Sequence, residues 1–204
     1  MLPTGNRVHL YKTYFEQRCP SCFTEQEDRR HLLTCPDPDR RKWKGKLLKE
    51  LREACDRTDV CQPMIQILVD GLYHELDDCQ MENTTSHPDN LQQLIEEQNQ
   101  IGWDQLLYGR FTLEWQAAQY RHLMNSEIEV TRMNSGPGWI RMLIKIIWSN
   151  IHLVWIERNL VRQGKDEEEK REKERTQCIS EITVYYNYID DGQLRKLDYI
   201  INLL

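Results

Sequence analysis

The sequence predicts a mostly α fold, with a small cysteine- and histidine-rich module at the front and a bundle of about six amphipathic helices behind it. Three observations carry that reading. Apolar residues recur at steps of three and four over most of the chain, the period of a helix with one buried face. The strict apolar–polar alternation of a half-buried strand is missing, and "EITVYY", β-branched and aromatic as it is, still falls on the helical step. Three cysteines and one histidine crowd into residues 19–35. With 204 residues the chain is long enough to bury a sizeable core.

Each element has its own signal. Residues 1–18 read as an irregular lead-in. In the following segment Thr24-x-x-Glu27 has the form of a capping box, and Glu25, Glu27 and Asp28 suit a helix's first turn, where the dipole favours acid. Asp37-Pro38 offers an N-cap followed by proline at the first helical position. A helix over 38–57 follows, with Trp43, Leu47, Leu51 and Ala54/Cys55 as its stripe. A second carries Ile65, Leu68, Val69, Leu72 and Leu76 on one face. "ENTTSHPDN" (82–90) reads as a loop; its Asn83-Thr84-Thr85 spells a glycosylation sequon, taken as incidental in a chain that opens with no secretory signal.

Beyond that loop, "LQQLIEEQNQ", Trp103/Leu107 and Phe111/Trp115/Ala118/His122 fit helical spacing, with a break near Gly109. "MNSGPG" (133–138) marks a second loop. Residues 139–163 give the strongest helix, striped by Ile140, Ile144, Ile147, Ile151 and Val154/Trp155, with Trp148 beside it. "KDEEEKREKER" suits a solvated helical face laced with acid–base pairs. Ile179, Ile182, Tyr186 and Ile189 continue the helix. Asp190-Asp191-Gly192 then reads as the turn of a helical hairpin, whose second arm holds Leu194, Leu197, Ile200/Ile201 and Leu204. Three segments result: lead-in and knuckle (1–36), a basic helical hairpin (37–82), and a helical bundle with the C-terminal hairpin (88–204).

The most specific chemical signal is Cys19-x2-Cys22-x8-His31-x3-Cys35. Pro20-Ser21 makes a tight turn that aims two thiolates at one point. His31 and Cys35, four apart, share a helical face and supply the other two corners. Three thiolates and one imidazole suit a closed, structural zinc site with no open position for catalysis. The remaining cysteines, 55, 61, 79 and 178, have no ligand-like spacing and read as buried reduced thiols. His74, His122 and His152 stand singly on helices, at the core edge or surface.

The net charge of −6 argues against a generally basic, nucleic-acid-coating protein. The distribution is uneven: residues 1–50 hold 11 basic and 7 acidic side chains, a net of +4. Arg29 and Arg30 lie on the knuckle helix, and Arg40, Arg41, Lys42, Lys44, Lys46 and Lys49 flank the next stripe. Such a patch suits contact with the phosphates of RNA or DNA. The same residues also suit the plain solvated face of an amphipathic helix. No long apolar run opens the chain, and "WIRMLIKIIWSNIHLVWI" is interrupted by Arg141, Lys145, Asn150 and His152, so no membrane contact and an intracellular location, nucleus or cytoplasm, are expected.

Enzymatic signatures are missing. There is no Walker loop, no Gly-x-Ser-x-Gly, no His-Glu-x-x-His, and no His-x-Glu ahead of the Cys-x-x-Cys that a zinc deaminase would need. Tyr188-Ile189-Asp190-Asp191 spells the Tyr-x-Asp-Asp of a reverse-transcriptase palm. Metal-assisted phosphoryl transfer needs such aspartates on a strand hairpin beside further carboxylates. Here they lie between two helical runs, so the tetrapeptide is judged coincidental and no catalytic residue is expected.

"CPSC…RRHLLTCP" followed by a tryptophan resembles the zinc-binding knuckle near the C-terminus of reverse transcriptases from non-LTR retrotransposons. Cys19, Pro20, Cys22, Glu25/Glu27, His31, Leu32, Cys35, Pro36 and Trp43 occupy that family's places. The retroviral nucleocapsid spacing is different. The specific match covers residues 19–43, about an eighth of the chain. "LPTGNRVH", "IGWDQLLYGRF…W" and "W…WIERN…G" resemble, less specifically, C-terminal regions of retroelement-like open reading frames of algae such as diatoms. The resemblance implies a module separated from its polymerase and endonuclease, with a knuckle that helps hold nucleic acid. The expected function is a zinc-stabilised helical nucleic-acid-binding module of that origin. The alternative is a helical interaction module, binding a protein partner or a second copy, in which zinc only braces the N-terminus.

Overall fold

The structure, a computed structural model, describes residues 18–77 and 89–190. Among these residues the regular structure is helical, apart from one antiparallel bridge between Arg18 and Gln26 at the base of the knuckle. A short helix α1 (Arg29–Thr34) precedes six longer ones: α2 (Pro38–Asp56), α3 (Gln62–Asp77), α4 (Gln92–Ile101), α5 (Leu113–Asn125), α6 (Gly136–Gln163) and α7 (Glu167–Asp190). The mostly α expectation holds. Most of the 82–90 loop, Cys79 and the second arm of the C-terminal hairpin lie outside the described residues.

Helix starts follow local chemistry. At α2 the Asp37 carboxylate accepts the Asp39 amide at 2.9 Å, with Pro38 in the first turn, as expected. At α1 the expected capping box is absent. Asp28 is the N-cap and accepts the His31 amide at 2.7 Å. Thr24 is four residues too early, because Phe23 turns the chain at φ +59° and Thr24 points its hydroxyl at Cys22 Sγ instead.

The stripes on α2 and α3 are buried as read from the sequence: Trp43, Leu47, Leu51, Ala54 and Cys55 face Ile65, Leu68, Val69, Leu72 and Leu76. Between α4 and α5 the chain breaks twice, not once. Gly102 (φ +92°) and Gly109 (φ +75°) bracket a 3₁₀ helix, Trp103–Tyr108, and both take left-handed conformations that glycine adopts without strain. "MNSGPG" is only partly a loop. Gly136-Pro137-Gly138 form the first turn of α6, because proline at that position loses no hydrogen bond.

On α6 the buried face is rotated from the expected stripe. Trp139, Ile140, Leu143, Ile147, Asn150, Val154 and Arg158 face inward; Ile144, Ile151 and Trp155 are half-buried and Trp148 is exposed. That face packs on α2 and α5, and one hydrophobic core runs from Leu32 and Leu33 of α1 through Trp115 and Trp139 to Val154. By length and composition alone α6 reaches what a membrane span requires. Its inward face nevertheless carries Asn150, whose side-chain amide donates to Glu50 at 2.7 Å and whose backbone carbonyl accepts the Trp43 indole at 3.0 Å. The α7 helix runs through Asp190, so Tyr188 to Asp190 are helical, and Asp191 lies beyond the described residues.

Candidate metal centre and basic face

The knuckle is built by a turn and a helix end. Pro20-Ser21 bends the chain so that the Phe23 amide donates to the Cys19 carbonyl (2.9 Å) and the Cys19 amide to the Glu25 carbonyl (2.8 Å). The α1 helix then presents His31 from its first turn. Cys35 is its C-cap, with its amide donating to the His31 carbonyl at 2.8 Å.

The four expected ligands converge. The Cys19, Cys22 and Cys35 sulfurs and one His31 nitrogen all lie within 4.8 Å of one another. Cys19 Sγ and Cys35 Sγ are 3.8 Å apart, and Cys22 Sγ is 3.3 Å from His31 Nε2. Those are edge lengths of a tetrahedron around one ion. Cys19, Cys35 and His31 are buried, so the centre is closed. His31 Nδ1 donates to the Glu25 carboxylate at 2.9 Å. That bond fixes the tautomer and leaves the Nε2 lone pair facing the cysteines, the arrangement that suits a metal-bound histidine. The donor set, spacing and outer hydrogen bond fit a metal ion.

The thiols differ in acidity. Burial raises Cys22, but hydrogen bonds from the Thr24 hydroxyl and the Thr24 and Glu25 amides outweigh it and bring Cys22 down to about 6. Burial pushes Cys35 up to about 12, reinforced by the neighbouring Cys19 and Cys22 sulfurs. A cation at the centre would remove that mutual repulsion, since thiolates, not thiols, bind metal.

Two acids of the knuckle do other work than starting a helix. Glu25 orients His31. Glu27 is fully buried and makes a bidentate pair with Arg158 of α6, through Nε at 2.6 Å and through Nη2, and Arg162 Nη2 approaches it at 3.3 Å. Arg162 also donates to the Arg18 carbonyl at 3.0 Å. The knuckle is thus fastened to α6 by a buried ion pair spanning 131 residues of sequence. The available signal was an excess of acids between Cys22 and His31 over what one helix start uses. Nothing local pointed to Arg158.

The eight expected phosphate contacts do not form one face. Arg29 and Arg30 are exposed on α1, and the Arg29 guanidinium stacks 3.5 Å over the Tyr108 ring. Arg29 lines a cleft with Trp148 and His152, whereas Arg40, Lys42 and Lys46 line another with Leu153 and Glu157. Arg40 is not at the surface; it is 5% exposed beside Trp43. Lys44 is largely covered and paired with Asp77 at 2.8 Å. Arg41, Lys42, Lys46 and Lys49 remain exposed, with Lys42 held by Asp39 at 2.8 Å and Lys46 and Lys49 each 3.8 Å from a glutamate one turn on. Exposed pairs of this kind exchange readily with another anion. Among the remaining thiols, Cys55 is buried and Cys61 half-buried as expected, but Cys178 is exposed on α7.

No protein-family profile, curated protein or solved structure matches this chain.

Proposed function

We propose that the chain is a zinc-stabilised helical module that binds nucleic acid. The closed three-cysteine, one-histidine centre leading straight into a basic helix carries the reading. Zinc suits it best: with Zn–S near 2.3 Å and Zn–N near 2.0–2.1 Å, a tetrahedral site has S···S edges of about 3.8 Å and S···N edges of about 3.5 Å. The cluster offers 3.8 Å and 3.3 Å. Arg29, Arg30, Arg41, Lys42, Lys46 and Lys49 keep exposed side chains for phosphate contact. The likeness of residues 19–43 to the retrotransposon knuckle supports descent from the non-catalytic C-terminal part of such a reverse transcriptase, acting inside the cell, without polymerase chemistry.

The test has two parts. Purified protein is expected to hold one zinc per chain by atomic emission, and Cys22→Ser to lose it. Labelled RNA and single-stranded DNA are expected to be retained at low salt and released at high salt, since phosphate contacts give a steep salt dependence. Retention of neither, by folded zinc-loaded protein, overturns the nucleic-acid reading. A helical protein-interaction module is the second reading. It is favoured by the exposed apolar flank of α6, where Trp148, Leu153, Ile156, Leu160 and Val161 are each 40% to 55% exposed.

A further inference from the structure

Two energetically costly features meet in one place. Arg40 is 5% exposed, yet its Nε and Nη1 have no hydrogen-bond partner among the described residues. Buried guanidinium groups are almost always paired, and an unpaired one calls for an explanation. The two nearest acids in sequence are engaged: Asp37 caps α2, and Asp39 holds Lys42. The second feature is Phe23, 65% exposed at φ +59°. The knuckle turn requires that conformation, and glycine would adopt it without strain. A bulky apolar residue standing there, in water, marks a side chain with a use.

Both residues line the same cleft of about 710 Å³, between the knuckle turn, the start of α2 and the end of α6. That volume is in the range of small-ligand sites. Leu153, Leu160 and Val161 form an apolar wall, and Lys46 and Lys165 bring further positive charge. Three carboxylates also line it: Asp37 and Asp39, engaged as described, and Glu157.

We propose that this cleft is a nucleotide site: Arg40 takes the phosphate and Phe23, with the apolar wall, takes the base. Arginine matches the phosphate oxyanion with paired donors, and an exposed aromatic ring is a stacking platform for any base. The nucleotide comes either from a single strand of nucleic acid or from the free pool; only the first source rests on the function proposed above.

The experiment uses the full zinc-loaded chain at low salt, with adenosine 5′-monophosphate, adenosine, and a labelled ten-nucleotide RNA as probes. The nucleotide is expected to shift the Arg40 Nε–H resonance, identified by its loss in Arg40→Met, and adenosine to leave it in place. Arg40→Met and Phe23→Gly are expected to weaken binding at least about tenfold, the loss of one charge-assisted contact or one stacked base. Both are expected to melt at the same temperature as the parent or higher, because each removes an unfavourable feature of the fold. Glu157→Gln is expected to tighten binding.

Unchanged binding by Arg40→Met overturns the proposal, as does a large fall in its melting temperature with no change in binding, which would make Arg40 structural. No binding of either phosphorylated probe also overturns it. Binding of the mononucleotide without retention of RNA supports the cleft and overturns the nucleic-acid reading. Retention of RNA unaffected by Arg40→Met or Phe23→Gly does the reverse.

Discussion

Replacing Glu27 with glutamine tests how the knuckle is held to the bundle. Glu27 is fully buried, and its carboxylate satisfies Arg158, which is 4% exposed. The substitution keeps shape and one acceptor oxygen but removes the charge. Besides that oxygen, Arg158 is then left with the Asn159 side-chain oxygen at 2.8 Å and the Trp155 ring at 5.0 Å, none of which neutralises it. Breaking a buried pair from one side costs about 3–5 kcal/mol. The retained oxygen places the expected loss near the lower end, about 3 kcal/mol, a large share of the stability of a domain this size. Urea unfolding followed by tryptophan fluorescence, with metal saturating, should show the midpoint fall with an unchanged slope. The loss should be nearly the same at low and high salt, since a buried pair is poorly screened. The double variant Glu27→Met/Arg158→Met should recover most of it, because apolar replacement of a whole buried pair is often neutral or better. A loss below about 1 kcal/mol, or one that vanishes at high salt, would mean that the pair is solvated and the reasoning wrong.

Three further outcomes are expected. Gln98→Leu should cost about 2 kcal/mol in the same assay, because it strands the buried Trp115 indole N–H and removes the donor to the half-buried Gly102 carbonyl, both now bonded at 2.9 Å. Gly71→Ala should destabilise by about 1–2 kcal/mol despite alanine's better helix propensity, because the new Cβ would lie 2.0 Å from the Trp103 ring; unchanged stability with unshifted tryptophan fluorescence would contradict that packing. In metal-loaded protein at pH 8 a disulfide reagent should label exposed Cys178 first and half-buried Cys61, raised by burial, more slowly. Cys55, pushed up to about 12 by burial, should react only on unfolding; rapid labelling of it in native protein would refute the α2–α3 packing.

What could be read from the sequence was what has a short period. The stripes of α2 and α3 were legible because each helix is apolar on one face only, and Asp37-Pro38 marks a start by chemistry between adjacent residues. The clustering of Cys19, Cys22, His31 and Cys35 was legible for the same reason: they lie within 17 residues and in fixed local geometry. The face of α6 was legible only in part. Ile140, Ile147 and Val154 of the expected stripe are buried, but the helix is apolar on several sides, so Ile144 and Ile151 fit a stripe as well as the fully buried Leu143 does. The residues that settle the matter, Asn150 and Arg158, are polar and read as solvent positions until their partners Glu50 and Glu27 are placed opposite them. The basic patch misled in the complementary way. Helical spacing says which lysines flank a stripe, but not that Asp77 of α3 would cover Lys44 or that Arg40 would sink beside Trp43.

Those long-range partners change what the knuckle is. An autonomous finger would carry its ligands on a self-contained turn and helix. Here α1 has six residues, too few to hold itself as a helix in water. It is held at one end by Asp28 and by the Cys35 cap, and along its length by Leu32 and Leu33, which belong to the core shared with Trp43 and Val154. Glu27, between the second and third ligands, is tied to α6. The cysteine–histidine cluster and the bundle therefore share one set of restraints. Anything that unties the cluster also exposes two core leucines and the acid that neutralises Arg158, and anything that loosens α6 relaxes the segment carrying His31. Metal affinity and bundle stability should rise and fall together, because binding free energy at a site that is not preformed in the unfolded chain is folding free energy. Glu27→Gln is expected to lower both, although its side chain touches no ligand.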